Sequence, residues 1–150
     1  MAQTANSTSA RNAVVEVSPD GTTWTNISGV ANTVSSGDGT RMTGEANTFD
    51  GDGTIVVAGK LEAQESNVKL IYTEDGVGYE ILRGYFGSTN STCYLRVAPN
   101  GATTGNYRHT SAKGVITKFP QFPELDASSG DVQAIELTIK HPGWAKAVVP

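Results

Sequence analysis

The length of 150 residues fits one domain with one hydrophobic core. Only 37% of the residues are hydrophobic and 17% charged, while 17 are glycine, a balance that favours short strands and turns over long helices. The net charge of −4 is concentrated in residues 1–75, which carry ten acidic and four basic residues, so we expect no general nucleic-acid-binding surface.

The single cysteine, Cys93, cannot form a disulfide within the chain or a metal site built on paired cysteines. We expect it to pack as a small hydrophobic side chain. The N-terminus has neither the basic start nor the apolar run of a secretory signal, and no stretch approaches the roughly 20 apolar residues that span a bilayer. We therefore expect a chain that stays in a reducing cytoplasm and has no membrane partner.

The N-terminal part of the chain predicts an arm followed by a β-hairpin. Residues 1–12 are polar and aperiodic, which predicts a flexible arm. From Ala13 a β-branched run, the turn SPDG and a second alternating run predict a hairpin, because Pro19 presets one turn angle and Gly21 tolerates positive φ. The alternation around Trp24 favours core packing over a role as a ligand-stacking platform.

Residues 35–54 form a long stretch that cannot build a core. The stretch follows a predicted strand over Val30–Val34 and contains five glycines. Long unstructured segments are uncommon in compact domains unless they are functional or disordered. Folded as an extended hairpin, the stretch would project about 30 Å, at roughly 3.3 Å per residue on each arm, which is far enough to touch a neighbouring molecule. Its only apolar side chains are Met42, Ala46 and Phe49.

The remaining sequence predicts further strands and one helix. Apolar residues at spacings of three and four predict a helix over about residues 75–87, with Asp75 able to cap its start and Gly87 its end. The strand Leu61–Thr73 has a first half that is polar on both faces, which predicts an edge or an interface. The predicted strands of this part are Ile55–Val57, Leu61–Thr73, Thr92–Ala98, Gly114–Pro120 and Val132–Pro142.

Together these elements predict a mainly β fold. With about seven or eight strands and one helix, the natural closure is a β-sandwich or a barrel-like pair of antiparallel sheets, flanked by the helix. A long loop or hairpin projects from it. We predict a domain over residues 13–142 and a C-terminal tail over residues 143–150.

The sequence offers few candidates for chemistry. Asp50 and Asp52 in DGDGT invite a calcium interpretation, but the residues at the sixth and twelfth loop positions are Ile55 and Leu61 instead of Gly and Glu. A flexible acidic turn fits better. No nucleophile elbow and no phosphate-binding loop occur, so we expect neither enzyme activity nor a metal or cofactor.

Two histidines and the apolar tail complete the candidates. His109 and His141 lie outside any metal-binding pattern, and we expect both at the surface. The tail carries Trp144, Val148 and Val149, which we expect to dock against the domain or against a neighbour. As an alternative, Trp24 and Trp144 could serve as the platforms of a carbohydrate-binding module.

The collinear order of several motifs carries a resemblance to a known family. These motifs are WTNISG, RMTGEANTFDGDG, IVVAGKLEAQESNVKLIYTE, EILRGYF, YLRVAPNG, GVITKFP and DASSGDVQAIELTIKHP. Over roughly residues 13–142 the chain resembles a major tail protein, the tail tube subunit of long non-contractile-tailed bacteriophages. The resemblance implies a β-sandwich-like subunit that forms hexameric rings, which stack into a tube around a lumen through which the genome passes.

In that family a long loop or hairpin reaches the adjacent ring, and the termini often help to join rings. Carried onto this chain, the reaching element is about Ser35–Thr54, with Met42 and Phe49 as apolar anchors. The expected ring-stacking residues are Arg41, Met42, Glu45, Phe49, Asp50 and Asp52. The acidic residues that we expect to face the lumen are Asp50, Asp52, Glu62 and Glu65. The residues of the expected C-terminal interface are Trp144, Val148 and Val149.

The predicted function is therefore structural. We expect a virion protein assembled in the cytoplasm of a bacterial host, with copies of itself, other tail proteins at the tube ends and passing DNA as partners. Six copies at −4 each give about −24, and such a wall would repel the phosphate backbone, so that DNA slides without sticking. The alternatives are a capsid-decoration protein, a tail-terminator protein or a carbohydrate-binding β-sandwich.

Overall fold

The structure is a computed structural model that describes residues 9–74 and 77–150. Eleven strands and one α-helix lie within these ranges. The helix α1 spans Val77–Gly87, and a single 3-10 turn spans Ala10–Asn12. The strands are β1 (Val14–Ser18), β2 (Thr25–Asn26), β3 (Ala31–Ser35), β4 (Arg41–Ala46), β5 (Ile55–Leu61), β6 (Gln64–Ile71), β7 (Thr92–Ala98), β8 (Tyr107–Ser111), β9 (Gly114–Lys118), β10 (Ala134–His141) and β11 (Trp144–Val148).

Nine strands are joined by antiparallel pairs into a sheet that branches at β7 into two halves. One half has the order β2-β1-β7-β8-β11, and the other has the order β3-β6-β10-β9-β7. Strand β7 belongs to both because Thr92 and Cys93 pair with β9, whereas the residues after them pair with β1 and β8. The prediction of a mainly β fold with antiparallel sheets and a single helix is confirmed.

The hydrophobic core lies between these two halves. Alternate residues of the central strands point inward, as the period of a strand requires. Covering one such side chain completely stabilises the fold by roughly 1.5–3 kcal/mol. The core side chains with at most 3% exposure, from the strands of both halves, are Val17, Val68, Leu70, Cys93, Leu95, Ile116, Ile135, Leu137 and Ile139.

Helix α1 closes one side of this core. Tyr79 and Leu82 are buried in it, and the Tyr79 hydroxyl donates to the Gln121 carbonyl oxygen at 2.6 Å. Gly78 lets the helix approach closely, because a Cβ at this position would overlap a methyl group of Val30. The predicted cap, Asp75, lies outside the described residues.

Several element predictions match the structure. The first hairpin is present as the β1–β2 pair, and β7 has the predicted bounds, Thr92–Ala98. The predicted strand Leu61–Thr73 is present with shorter bounds as β6, since Leu61 is the last residue of β5. The prediction of an edge or an interface for the first half of that strand agrees with the pairing. Strand β3 pairs with β6 only over residues 67–70, so Gln64, Glu65 and Ser66 pair with β10 alone.

The prediction that Trp24 packs in the core is wrong. Its ring is partly buried, and the Arg96 guanidinium carbon lies 4.1 Å from the ring centroid. The same guanidinium donates to the Glu16 carboxylate at 2.6 Å. This arrangement is a cation–π contact on the sheet surface, supported by an ion pair.

Both chain ends differ from the predicted segments. Residues 1–8 of the predicted arm lie outside the described residues, and the 3-10 turn over Ala10–Asn12 has Ser9 as its cap. The predicted tail over residues 143–150 contains β11, which pairs with β8. In the described part of the chain, no helix is long and apolar enough to cross a membrane.

Candidate assembly interface

Strands β4 and β5 form a hairpin that stands apart from the rest of the fold. Among the described residues, the two strands pair only with each other, and every residue of both is exposed. We call residues 41–61 the projecting hairpin and residues 47–54 its turn. The sequence predicted the projecting element over Ser35–Thr54, whereas its second strand continues to Leu61.

The pairing register divides this hairpin into two different faces. Residues directly opposite each other in an antiparallel pair point to the same side. Ala46 lies opposite Ile55, and Gly44 lies opposite Val57. The register shifts by one residue between Thr43 and Arg41. In this part of the hairpin a Cβ at Gly59 would lie 3.2 Å from the Met42 Cβ, so the two positions share a face. The residues of this apolar face are Met42, Gly44, Ala46, Ile55, Val57 and Gly59. Those of the opposite face, which we call the polar face because it carries Arg41, Thr43 and Glu45, also include Val56, Ala58 and Leu61, the last directly opposite Arg41.

The apolar face lies open to solvent. Met42 is 56% exposed, Ile55 49% and Val57 59%. A two-stranded hairpin is only marginally stable in water without a partner for its hydrophobic face. Sequence reasoning missed most of this face because it assigned Ile55–Val57 to the body of the domain. The face is the feature of the described chain that most clearly requires a partner.

The predicted ring-stacking residues all lie in the projecting hairpin but not on one face. Met42 is on the apolar face and Glu45 on the polar face. Arg41 donates from Nη1 to the Gly59 carbonyl oxygen at 2.9 Å, which is a contact within the hairpin. The other three residues lie in the turn, where Phe49 is fully exposed. These three are Phe49, Asp50 and Asp52.

The four predicted lumen acids lie at both ends of the hairpin. Asp50 and Asp52 are in the turn, whereas Glu62 follows β5 and Glu65 belongs to β6. The Glu65 carboxylate lies 3.9 Å from the Lys140 ammonium group. Within the described ranges, no group of three or more His, Cys, Asp or Glu side chains could hold a metal ion. The lumen position of the four acids stays a prediction.

A partly buried polar cluster, with Ser66 and His141 as its buried members, holds the base of the hairpin against the domain. The Ser66 hydroxyl lies 2.8 Å from His141 Nε2 and 3.0 Å from the Ser36 carbonyl oxygen, to which it can donate. That carbonyl also accepts the Trp144 indole N–H at 2.8 Å. His141 Nδ1 lies 3.1 Å from the Gly143 carbonyl oxygen. We call these residues the root cluster.

The prediction that His141 is a surface residue is wrong. The side chain is 1% exposed, and burial lowers its pKa because it penalises the charged imidazolium. The Gly143 carbonyl oxygen accepts from Nδ1–H of the neutral ring, so Nε2 carries no hydrogen and is an acceptor. The single Ser66 hydroxyl hydrogen is therefore donated either to Nε2 or to the Ser36 carbonyl oxygen, one at a time. The sequence held a signal for this position, because His141 continues the inward alternation of Ile135, Leu137 and Ile139.

Glycine is required where the chain leaves β3 for the hairpin. Gly37 has φ +70°, and a Cβ there would overlap the Glu65 carbonyl oxygen. The segment after β3 therefore runs directly against the backbone of β6. The base of the hairpin is held both by this close approach and by the root cluster.

The C-terminal strand contributes to a groove beside this base. The groove has a volume of about 410 Å³ and is lined by Val34, Ser36, Val97, Pro99, His109 and Trp144. Of the other predicted tail residues, Val148 is half exposed, whereas Val149 is buried and its N–H donates to the Asn106 carbonyl oxygen at 2.7 Å. Val149 is thus part of the chain's own fold.

Comparisons with solved structures identify this architecture. No protein-family model matches the chain, and neither does any curated protein sequence. A chain of the PVC sheath-tube complex, from an extracellular contractile injection system in the extended state, superposes with a TM-score of 0.75 at 16% identity, over 97% of this chain and 94% of that one. The chain shares the tail-tube fold.

Two other structures extend the likeness to related particles. A chain of the PVC sheath/tube terminator in the extended state matches with a TM-score of 0.74 at 15% identity, over 95% of this chain and 97% of that one. A chain from the virion of a native gene transfer agent particle matches with a TM-score of 0.62 at 11% identity, over 96% of this chain and all of that one. The fold of this chain is thus shared by chains of an extracellular contractile injection system and of a gene transfer agent particle.

Proposed function

We propose that this protein is the subunit of a phage-type tail tube. Six copies close into a ring, and rings stack into a tube that conducts the DNA genome into a bacterial host. The tube is part of the virion and is assembled in the host cytoplasm, where it also meets the proteins at its two ends. A long non-contractile tail is the setting that the sequence resemblance implies.

The exposed apolar face of the projecting hairpin is the observation that carries this proposal. Met42, Ile55 and Val57 are each about half exposed on a two-stranded sheet that has no core of its own. Contact with an adjacent ring would cover this face and complete the hairpin's packing. The likeness to a chain of a sheath-tube complex supports the same interpretation.

The charge of the chain supports conduction of DNA through the tube. Six copies at −4 each give a ring of about −24, which repels phosphates. We propose that Asp50, Asp52, Glu62 and Glu65 contribute to an acidic lumen wall, so that DNA passes without being held by phosphate contacts.

A tube terminator is the second candidate function, because the likeness to the sheath/tube terminator is nearly as large. A terminator would form one ring and stop, and it would leave the apolar face without a partner of its own kind. A carbohydrate-binding role has less support. One face of Trp24 is covered by Arg96, and Trp144 packs edge-on against His141 at 5.0 Å between ring centroids.

Electron microscopy of the purified protein separates these candidates. The tube proposal predicts stacked rings or regular tubes at high protein concentration, whereas a terminator would give single rings. A persistent monomer that binds a glycan would refute both. The subunit count per ring is read from end-on views, and a ring with another number of copies would refute the hexamer.

Removal of the hairpin tests its role in stacking. The Glu62 N–H donates to the Thr40 carbonyl oxygen at 2.8 Å, so the two positions are close enough to be joined by a short turn. Replacing residues 41–61 by Asn-Gly should leave a folded domain, judged by circular dichroism, that no longer forms tubes. Deleting residues 38–52 would be a poorer test, because it removes β4 and leaves β5 without a partner. Unchanged tube formation after the replacement would refute the stacking role.

A further inference from the structure

The projecting hairpin presents an exposed aromatic side chain at one end and lies beside an apolar groove at the other. Phe49 in the turn is fully exposed, and the turn carries Asp50 and Asp52 with no basic residue. The groove at the base is formed mostly by apolar side chains, and none of the described residues that line it is acidic. The exposed ring and the groove are therefore matched in chemistry.

The groove also carries positive charge at its margin. His109 lines it, and Lys146 lies directly opposite His109 in the β8–β11 pair, so both point to the same side of the sheet. The Lys146 ammonium group lies 4.1 Å from the Tyr107 ring centroid. This contact with an aromatic ring does not neutralise the charge of the lysine. An acidic turn approaching this margin would meet complementary charge.

We propose that the groove of one copy receives Phe49 from the hairpin of the next copy along the stack, an inference that rests on the proposed tube function. The turn lies at the far end of two strands of six and seven residues, about 20 Å from the hairpin base at roughly 3.3 Å per residue. Phe49 therefore cannot reach the groove beside the base of its own hairpin. In the proposed contact, Phe49 therefore comes from a second copy.

This contact has the geometry of an open-ended assembly. Each copy offers one exposed ring and one groove on different parts of its surface, so the contact is head-to-tail. Between copies stacked along the tube such a contact repeats without closing, whereas between copies of one ring it would close at the sixth copy. The groove is lined by Trp144, whose indole N–H holds the Ser36 carbonyl at the hairpin base. An occupied groove therefore steadies the base of the hairpin that docks into the following copy.

Disulfide cross-linking tests the pairing directly. The double variant Phe49→Cys with His109→Cys places one thiol in the turn and one in the groove. The native Cys93 does not compete, because it is buried and burial raises its thiol pKa to about 12. Assembled protein, once fully oxidised, should give a covalent ladder beyond six copies on a denaturing, non-reducing gel. The control pair, Phe49→Cys with Lys118→Cys on β9, should give no ladder.

The outcomes separate the groove from the tube proposal. Bands that stop at six copies would place the contact within a ring and overturn the axial assignment. Tubes that form without a specific ladder would overturn the groove while leaving the tube function intact. Failure of the wild-type protein to assemble would count against the proposed function itself.

A second measurement covers the case in which the cysteine variants do not assemble. Phe49→Ala should raise the critical concentration for tube formation by roughly tenfold or more, because the ring that fills the groove is lost. Phe49→Leu should restore most of the assembly. The control Thr48→Ala, in the same turn, should change the critical concentration less than about twofold. An unchanged critical concentration for Phe49→Ala would overturn the proposal.

Discussion

Replacing Val57 by Asp tests the role of the apolar face with a matched control on the same strand. Val57 is 59% exposed and lies on the apolar face, whereas its neighbour Val56 is 60% exposed and lies on the polar face. The two valines thus have the same side chain, strand and exposure. They differ in the face to which they point.

The magnitude follows from burial and charge. Covering the exposed half of the Val57 side chain in a ring contact is worth ~1 kcal/mol, about half the value for burying a whole valine. A carboxylate enclosed there without a partner costs a further ~3 kcal/mol. The sum of ~4 kcal/mol corresponds to a rise of about a thousandfold in the critical concentration for assembly.

Sedimentation of polymer across a concentration series measures this effect. Val57→Asp should stay unassembled at concentrations where the wild type forms tubes, and Val56→Asp should shift the critical concentration less than about tenfold. Circular dichroism should find both variants folded, because neither valine belongs to the core. Equal effects of the two substitutions would refute the claim that one face of the hairpin carries the contact.

Three further predictions concern the stability of the subunit. Gly78→Ala should lower the free energy of unfolding by roughly 1–3 kcal/mol, because the added methyl group overlaps Val30. The control Gly29→Ala should change it by less than about 0.5 kcal/mol, because no neighbouring atom lies within 4 Å of the added methyl group. Urea unfolding measures both values. Hydrogen bonds from two backbone N–H groups and a hydroxyl hold the pKa of Asp20 below its usual range. Asp20→Asn should therefore lower the melting temperature above about pH 4, and the difference between variant and wild type should vanish as the pH falls through the lowered pKa. A difference in melting temperature that stays constant with pH would contradict this. Because the pKa of His141 is lowered in the folded protein, the unfolded chain binds a proton on this imidazole more readily. The urea midpoint should therefore fall as the pH drops below about 6.5, and His141→Gln should reduce that fall. An unchanged pH dependence in the variant would refute the lowered pKa of His141.

Much of the domain could be predicted from the sequence because alternation reports burial. In β10 the side chains of Ile135, Leu137 and Ile139 alternate with polar residues, and all three are buried as that pattern requires. The helix was predictable from its apolar spacing, and β7 from a β-branched and aromatic run that ends at a Pro-Asn-Gly turn. These elements fold against their own chain, so local pattern and final burial agree.

The candidate site was less predictable because its apolar residues have no partner within the chain. The run Ile55–Val57 has the β-branched composition of a core strand, and no sequence pattern distinguishes burial in the domain from burial against another copy. Strands β8 and β11 were missed for a different reason. YRHTS and WAKAV are short and lack a clear alternation of apolar and polar residues, so their pairing depends on contacts distant in sequence.

The central claim is that the hairpin of one subunit is buried against the next ring of a tube. A helical reconstruction of the polymerised protein by electron cryo-microscopy tests it most directly. We expect six subunits per ring, with Met42, Ile55 and Val57 enclosed between adjacent rings. Rings that stack through other surfaces, with these three side chains facing solvent, would contradict it.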